Sequence, residues 1–452
     1  MRTRTTILLS LLAALSADAC RSKPKTPPAP PPPLSDPGAA ALRWVESHRA
    51  TFAGTDSVAS PAEQTFLTSF ANNAQIVGFS ELTEGTHEFA YVVRRAVLAL
   101  AASSNVRGLA IQAPMAEAME VDRYVRGGAG DLPRLLRPLG SWRWETREMR
   151  ALVEAMRAYN RGRAPGDQVG FYGFEIPSAQ HAVSVVVDSV PEAITGAPLK
   201  AWLRRTYSCV AINEGAQWGR EGRTADSLYW RGCGPASVAA LDSVSALRRR
   251  VGATADAAPM LAYAEQMAKL VEHHVRIGLR RLKREEFNME HVLFLAELVG
   301  AGNKLMLWGG DVEMARLTLD GTTVQTAVPL SAKLGDKYRN IAFAFNDGVV
   351  RARSLASAPR AGGEIGLSNV TILRPLPNTY EDVLGRASGA GYWIDMRALP
   401  SDSAGKWLGG PHPMRLVTEQ YSTLSPENFQ TPLEFPKNFD AIVFVKTVSP
   451  PR

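Results

Sequence analysis

The segment VGFSELTEGTHEF, Val77–Phe89, crowds three carboxylates (Glu81, Glu84 and Glu88) and His87 around Gly85. A carboxylate or an imidazole in such a loop can take a proton from water or an alcohol, provided its pKa lies near the working pH. An unperturbed glutamate, at about 4.3, is ionised at neutral pH and a weak base. To act well, Glu84 or its neighbour Glu81 needs a pKa raised toward about 6–7 by burial or like charge. His87 is the alternative base, or else it caps and solvates the first turn of a helix beginning there. Further acids follow later apolar runs: Glu175 in GFEI, and Asp311 and Glu313 in GGDVE. Five such oxygen donors (Glu81, Glu84, Glu175, Asp311, Glu313), if they converge, also suit a hard cation such as Mg²⁺, Ca²⁺ or Mn²⁺. Their spacing matches no ligand motif, so the expectation is no bound metal and no cofactor. Arg94, Arg95, Arg143 and Arg147 are available to pair with them. No G-x-S-x-G elbow and no H-E-x-x-H pair is present. RGGAGD lacks the lysine and flanking strand of a phosphate loop and reads as a turn.

These residues need elements to position them. AQIVGF (Ala74–Phe79), RGLAIQA (Arg107–Ala113), QVGFYGF (Gln168–Phe174), KLMLWGG (Lys304–Gly310), NIAFAFN (Asn340–Asn346), GYWIDM (Gly391–Met396) and AIVFVK (Ala441–Lys446) read as buried strands. Their near-continuous apolar character suits a mostly parallel sheet covered on both faces. HEFAYVVRRAVLALAAS and ETREMRALVEAMRAYNRG have helical periodicity between strands. The fold class is therefore α/β: a layered, mostly parallel central sheet with helices on both faces. Residues 177–300 are nearly all helical in pattern and read as a large insertion between two portions of the α/β unit, 39–176 and 301–452. In open α/β sheets the functional loops lie at the carboxyl ends of strands. Here those ends carry SELTEGTHE, Gln112, Glu175 and GGDVE.

The N-terminus predicts export. MRTRT is a basic n-region, and ILLSLLAAL is an apolar h-region too short to span a bilayer. ADAC follows, so residues 1–19 read as a signal peptide and Cys20 as a lipidated cysteine of a membrane-anchored bacterial lipoprotein. Plain cleavage after the A-x-A site is the alternative, leaving a periplasmic or secreted chain. Residues 20–38 then form a tether, with eight prolines between Pro24 and Pro37. In an oxidising compartment the two remaining cysteines, Cys209 and Cys233, are expected to pair.

The chain has 452 residues, 45% of them hydrophobic, enough for a large core. A net charge of +7 is spread as scattered arginine. The densest patches, Arg248–Arg250 and Arg280–Glu286, read as solvated helix faces. Nucleic-acid binding would need a basic stripe interleaved with aromatics, and none is seen. The expected partner is a small molecule. The oligomeric state is not set by the sequence.

The strand ends resemble the erythromycin esterase family. SELTEGTHEF is similar to its G-E-x-x-H-G-T-x-E-F motif. MEVDRYVRGGAGDL resembles its Tyr-Val-Arg-Gly stretch, and SWRWETREMR its W-x-W-x-T-x-E segment through Trp142, Trp144, Thr146 and Glu148. VGFYGFEI, GYWIDMRAL and NFDAIVFVKTVSP are similar to later strands, and the resemblance runs from about Ala39 to Pro450. It implies a hydrolase that opens a macrolide lactone with a histidine general base and no metal. The residues that carry that chemistry differ here. The motif histidine is Glu84, and the second-strand glutamate is Gln112. W-A-H-N-x-H reads WGGDVE, with Trp308 kept, Gly310 and Glu313 for the two histidines, and Asp311 for the asparagine. Glu81 is retained and Glu175 keeps the third-strand acid in kind. The leading expectation is therefore a small-molecule-binding protein with lost or altered hydrolase activity. Trp142, Trp144 and Trp308 would form its walls, and Gln112, Glu175, Asp311, Glu313 and Arg94 its polar contacts. The rival is an active ester or lactone hydrolase with Glu84 as base and Glu81 assisting, His87 being the alternative base. A divalent-metal carboxylate site is the third reading.

Overall fold

The computed structural model describes residues 36–52, 54, 58–176, 179–210, 227–252, 257–279, 283–310, 312–319, 321–354, 366–418 and 420–452. The signal peptide, most of the Pro-rich tether and Asp311 lie outside them. Fourteen strands form among the described residues. They are β1 (Ala50–Phe52), β2 (Ile76–Glu81), β3 (Val106–Pro114), β4 (Gly170–Glu175), β5 (Lys304–Gly309), β6 (Thr318–Leu319), β7 (Thr323–Val324) and β8 (Tyr338–Ser354). After these come β9 (Leu367–Ile372), β10 (Gly391–Asp395), β11 (Pro411–Arg415), β12 (Gln420–Tyr421), β13 (Gln430–Glu434) and β14 (Ala441–Val448).

All seven runs expected to be strands are strands. The main sheet has the order β1-β10-β14-β8-β2-β5-β3-β4, with β9 and β12 also paired to β8. Neighbours from β14 to β4 run parallel. β10 and β1 close one edge antiparallel, a reversal that an apolar run alone does not encode. β6–β7 and β11–β13 are separate antiparallel pairs.

The parallel strands are buried on both faces because alternate residues fill different cores. Val77, Phe79, Leu109, Ile111, Phe171, Met306, Trp308, Ile341, Phe343, Val443 and Trp393 point into one core that runs across the sheet. The helices Pro61–Ala71, His87–Ser103 and Arg147–Asn160 cover it, through residues such as Leu67, Phe70, Val93, Leu152 and Met156. The opposite face carries two cores. Ile76, Ala110, Tyr172, Leu305 and Leu307 pack on the helical segment between β4 and β5. Ala342, Ala344, Ile394, Ile442 and Phe444 pack on the helix Ala39–His48 and the C-terminal segments.

Between β4 and β5 the chain forms the helices Gln180–Asp188, Glu192–Thr195, Ala197–Thr206, Ser227–Val251, Ala258–Leu279 and Arg284–Leu298. A disulfide joins Cys209, just beyond the helix Ala197–Thr206, to Cys233 in the helix Ser227–Val251. No helix of the described residues is long and apolar enough to cross a membrane.

Candidate functional site

β2, β3, β4 and β5 are mutually parallel through the order β2-β5-β3-β4, so their carboxyl ends share one edge of the sheet. β2 delivers Glu81 and the loop that follows it. That loop is pinned by main-chain bonds: Glu84 N–H to the Val417 carbonyl at 3.1 Å, and Arg351 N–H to the Gly85 carbonyl at 2.9 Å. Gly85 has φ +74°, and a Cβ there would stand 2.2 Å from the Arg351 carbonyl oxygen, so only glycine fits. Thr86 then caps the helix His87–Ser103, its hydroxyl accepting the Phe89 N–H at 3.4 Å.

Arg143 reaches between the two loop acids. Its guanidinium donates to Glu81 Oε2 at 3.0 Å and pairs with Glu84 Oε1 at 2.9 Å. Trp308 Nε1–H donates to Glu81 Oε1 at 2.9 Å. The two glutamate side chains are 5% and 4% exposed. Trp144 stands edge-on to Trp308, with ring centroids 5.2 Å apart, and donates to the Gln112 carbonyl at 3.3 Å. Trp142 packs beside Gly85 under the Arg351 guanidinium, 5.8 Å from its ring.

Gly310 makes the closest approach. A Cβ at this position would lie 1.7 Å from Glu84 Oε1 and 2.4 Å from the nearest Arg143 nitrogen. The Glu84–Arg143 pair therefore fills the space into which any side chain at position 310 would project.

The neighbouring half is built on Gln112. Its Oε1 accepts the Gly310 N–H at 3.0 Å and its Nε2 donates to Glu175 Oε1 at 3.3 Å. Arg284 donates to the same Glu175 oxygen at 3.3 Å and to Glu313 Oε2 at 3.5 Å. Glu313 Oε1 also receives Asn288 Nδ2 at 3.3 Å and the Thr326 hydroxyl. Arg284 and Asn288, one helical turn apart, share the face of their helix turned to the strand ends. Burial pushes the Glu175 carboxyl above its usual range, and the like charge of Glu313 adds to this; Arg284 and Gln112 oppose it without cancelling it.

The structure thus brings Glu81, Glu84, Gln112, Trp144, Trp308, Glu175 and Glu313 into one connected network, with Trp142 alongside. His87 and Arg94 belong to a different group. His87 is buried, neither solvated nor part of the Arg143 network, and its Nδ1 bonds Glu148 Oε1 at 2.6 Å. Burial works to raise the Glu148 carboxyl. The His87 bond and backbone amides, including that of Arg452, outweigh it and hold the carboxyl below the usual range. Arg94 lies over Tyr91, 4.2 Å from its ring, and Tyr91 stacks near His87. The other histidines are engaged elsewhere: His48 with Trp44, His181 with Glu120, His273 with Arg276, His291 with the Phe174 carbonyl and His412 with Trp407. His274 is fully buried in the helical segment, and burial pushes it down to about 4.

Four network members were not singled out by sequence: Arg143, Arg284, Asn288 and Thr326. Arg143 was only one of four possible counter-ions. Arg284 sat in the patch assigned to a solvated helix face; it is half-exposed, but its head group turns inward to Glu175 and Glu313. Among the described residues no group of three or more histidines, cysteines or carboxylates is arranged to hold a metal ion. Arg143 and Arg284 already stand between the carboxylates where a cation would sit.

The family model of erythromycin esterase matches residues 103–448. The chain belongs to the erythromycin esterase family. Three solved structures share its fold. One is a Bacillus cereus protein, 19% identical, with a TM-score of 0.69, covering 92% of this chain and 98% of its own. The second, described as a succinoglycan biosynthesis protein, is 18% identical with a TM-score of 0.67, covering 91% and 97%. The third is a histidine-to-asparagine mutant of an erythromycin esterase in its open conformation, 15% identical with a TM-score of 0.54, covering 86% and 94%. At these identities the likeness speaks to fold. Glu84 and its partner Arg143 lie on either side of the start of the matched segment.

Proposed function

We propose that this family member binds a small molecule at the carboxyl ends of β2–β5 and does not carry out histidine-based lactone hydrolysis. The observation that carries this reading is the Glu81–Arg143–Glu84 clamp packed over Gly310. A carboxylate held by a guanidinium favours its charged form and is a poor proton acceptor. The volume that a histidine at position 310 needs is already filled. Half-exposed Trp142 and, from another part of the strand ends, the Gln112 amide offer an apolar wall and a fixed polar contact, the mixture typical of ligand pockets. We propose further that the chain is exported and held at a membrane surface by a lipid on Cys20, with the Pro-rich segment as tether.

Erythromycin incubated with the protein and followed by mass spectrometry tests the chemical half. No ring-opened product beyond the buffer control is expected; enzyme-dependent opening would contradict the proposal. Thermal-shift titration with macrolides and simple esters tests the binding half. A saturable shift that Trp142→Ala abolishes is the expected result, and a shift indifferent to that change would count against this site.

A further inference from the structure

Among the described residues four carboxylates stand at the strand ends, and three of them are closed in by donors. Glu81 and Glu84 are closed in by Arg143, and Trp308 also donates to Glu81. Glu313 is 1% exposed and receives Asn288, Thr326 and Arg284. Glu175 differs. Its Oε1 is held by Gln112 and Arg284, each at 3.3 Å, while its Oε2 has no hydrogen-bond partner among the described residues. The side chain is 30% exposed, against 1–5% for the other three.

We propose that Glu175 is the proton-exchanging group of this site: its Oε2 accepts a proton from a hydroxyl or ammonium group of the bound molecule and returns it, while Gln112 and Arg284 hold the carboxylate in place. This rests on reading the strand ends as a ligand site. In the forward step the proton moves to Oε2 and the bonding pair stays on the ligand's oxygen or nitrogen; the reverse step restores both. No oxidant or reductant is needed. Burial, with the Glu313 charge adding to it, favours the protonated form of Glu175. The ligand class follows from the same charges. A hydroxyl or amine is favoured beside Glu175 and Glu313, and a carboxylate or phosphate is disfavoured.

Water-soluble carbodiimide with glycinamide converts accessible, protonated carboxyls to amides, and peptide mass spectrometry reads each position. On the full folded chain, Glu175 is expected to label several-fold faster than Glu81, Glu84 and Glu313. Its labelling is expected to persist to higher pH than that of the exposed Glu145, by about ten-fold in rate for each unit of displacement. Glu313→Gln removes the like charge and should move the Glu175 profile to lower pH. Glu175 labelling as slowly as its three neighbours would overturn the assignment, even if Glu313→Gln failed to fold. So would a wild-type profile superimposed on that of Glu145. The measurement needs no ligand, so an unreactive Glu175 overturns this assignment without touching the ligand site, whereas a failed thermal-shift titration counts against the ligand site on which this proposal rests.

Discussion

On the β2 side of the strand ends, Glu81 and Glu84 share Arg143; on the β4 side, Glu175 and Glu313 share Arg284. Among the described residues each half has two carboxylates and one guanidinium. The first guanidinium is 11% exposed and the second 56%. Burial therefore decides what the same chemistry does. In the first half the charges are desolvated together, and each depends on the others. In the second half the arginine reaches in from solvent, one acid is sealed and the other keeps an oxygen with no hydrogen-bond partner among the described residues. The first is a clamp; the second is the half proposed to exchange a proton with a ligand.

Arg143→Met attacks the comparison most strongly. It leaves two carboxylates buried without their shared cation, and breaking such a pair costs about 3–5 kcal/mol. Chemical denaturation should show a loss of that order. A loss under 1 kcal/mol, the range of an exposed pair, would erase the distinction between the halves. Gly310→Ala comes next, because its Cβ overlaps the Glu84 carboxylate. A cost of about 1–3 kcal/mol is expected for overpacking. A double-mutant cycle with Glu84→Ala should recover part of it, since the clash partner is gone.

The pH dependence sharpens the contrast further. Glu148, bonded to His87, is held below its ordinary 4.5, so the stability it contributes is present above 4.5 and lost as pH falls through the folded-state value. Glu175 is raised above 4.5, so the folded state binds its proton more readily, and this group adds stability as pH falls toward 4.5. Glu148→Gln should flatten the acid limb of the stability profile below 4.5, while Glu175→Gln should remove an opposing slope above it. Melting temperatures across the acid range read both. Arg284→Met is the mildest change. Half-exposed, it should cost about 0–1 kcal/mol, while raising the pH at which Glu175 takes up its proton.

Much of the frame was legible in the sequence. Apolar runs named all seven principal strands, and their carboxyl ends named the edge where Glu81, Gln112, Glu175 and Glu313 meet. Period-two burial and short loops are local properties, and they survive into the fold. The pairings were not legible. Glu81 and Arg143 are 62 residues apart, and His87 and Glu148 are 61 apart; nothing in either spacing selects one arginine or one carboxylate over its neighbours. Arg284 was hidden because a basic run reads as a solvated face, whereas one long side chain can leave that face and reach an acid. Gly310 was visible only as a missing histidine. Its meaning, a gap filled by Glu84 and Arg143, exists in three dimensions alone.

The central claim is that Glu84 is a structural counter-ion and not a base. Glu84→Gln separates the two roles when unfolding free energy and ester turnover are measured on one preparation, with erythromycin and p-nitrophenyl acetate as substrates. A stability loss of about 1–3 kcal/mol, from weakening a buried charged hydrogen bond, with turnover unchanged from wild type, is the expected result. Intact stability with turnover abolished would contradict it.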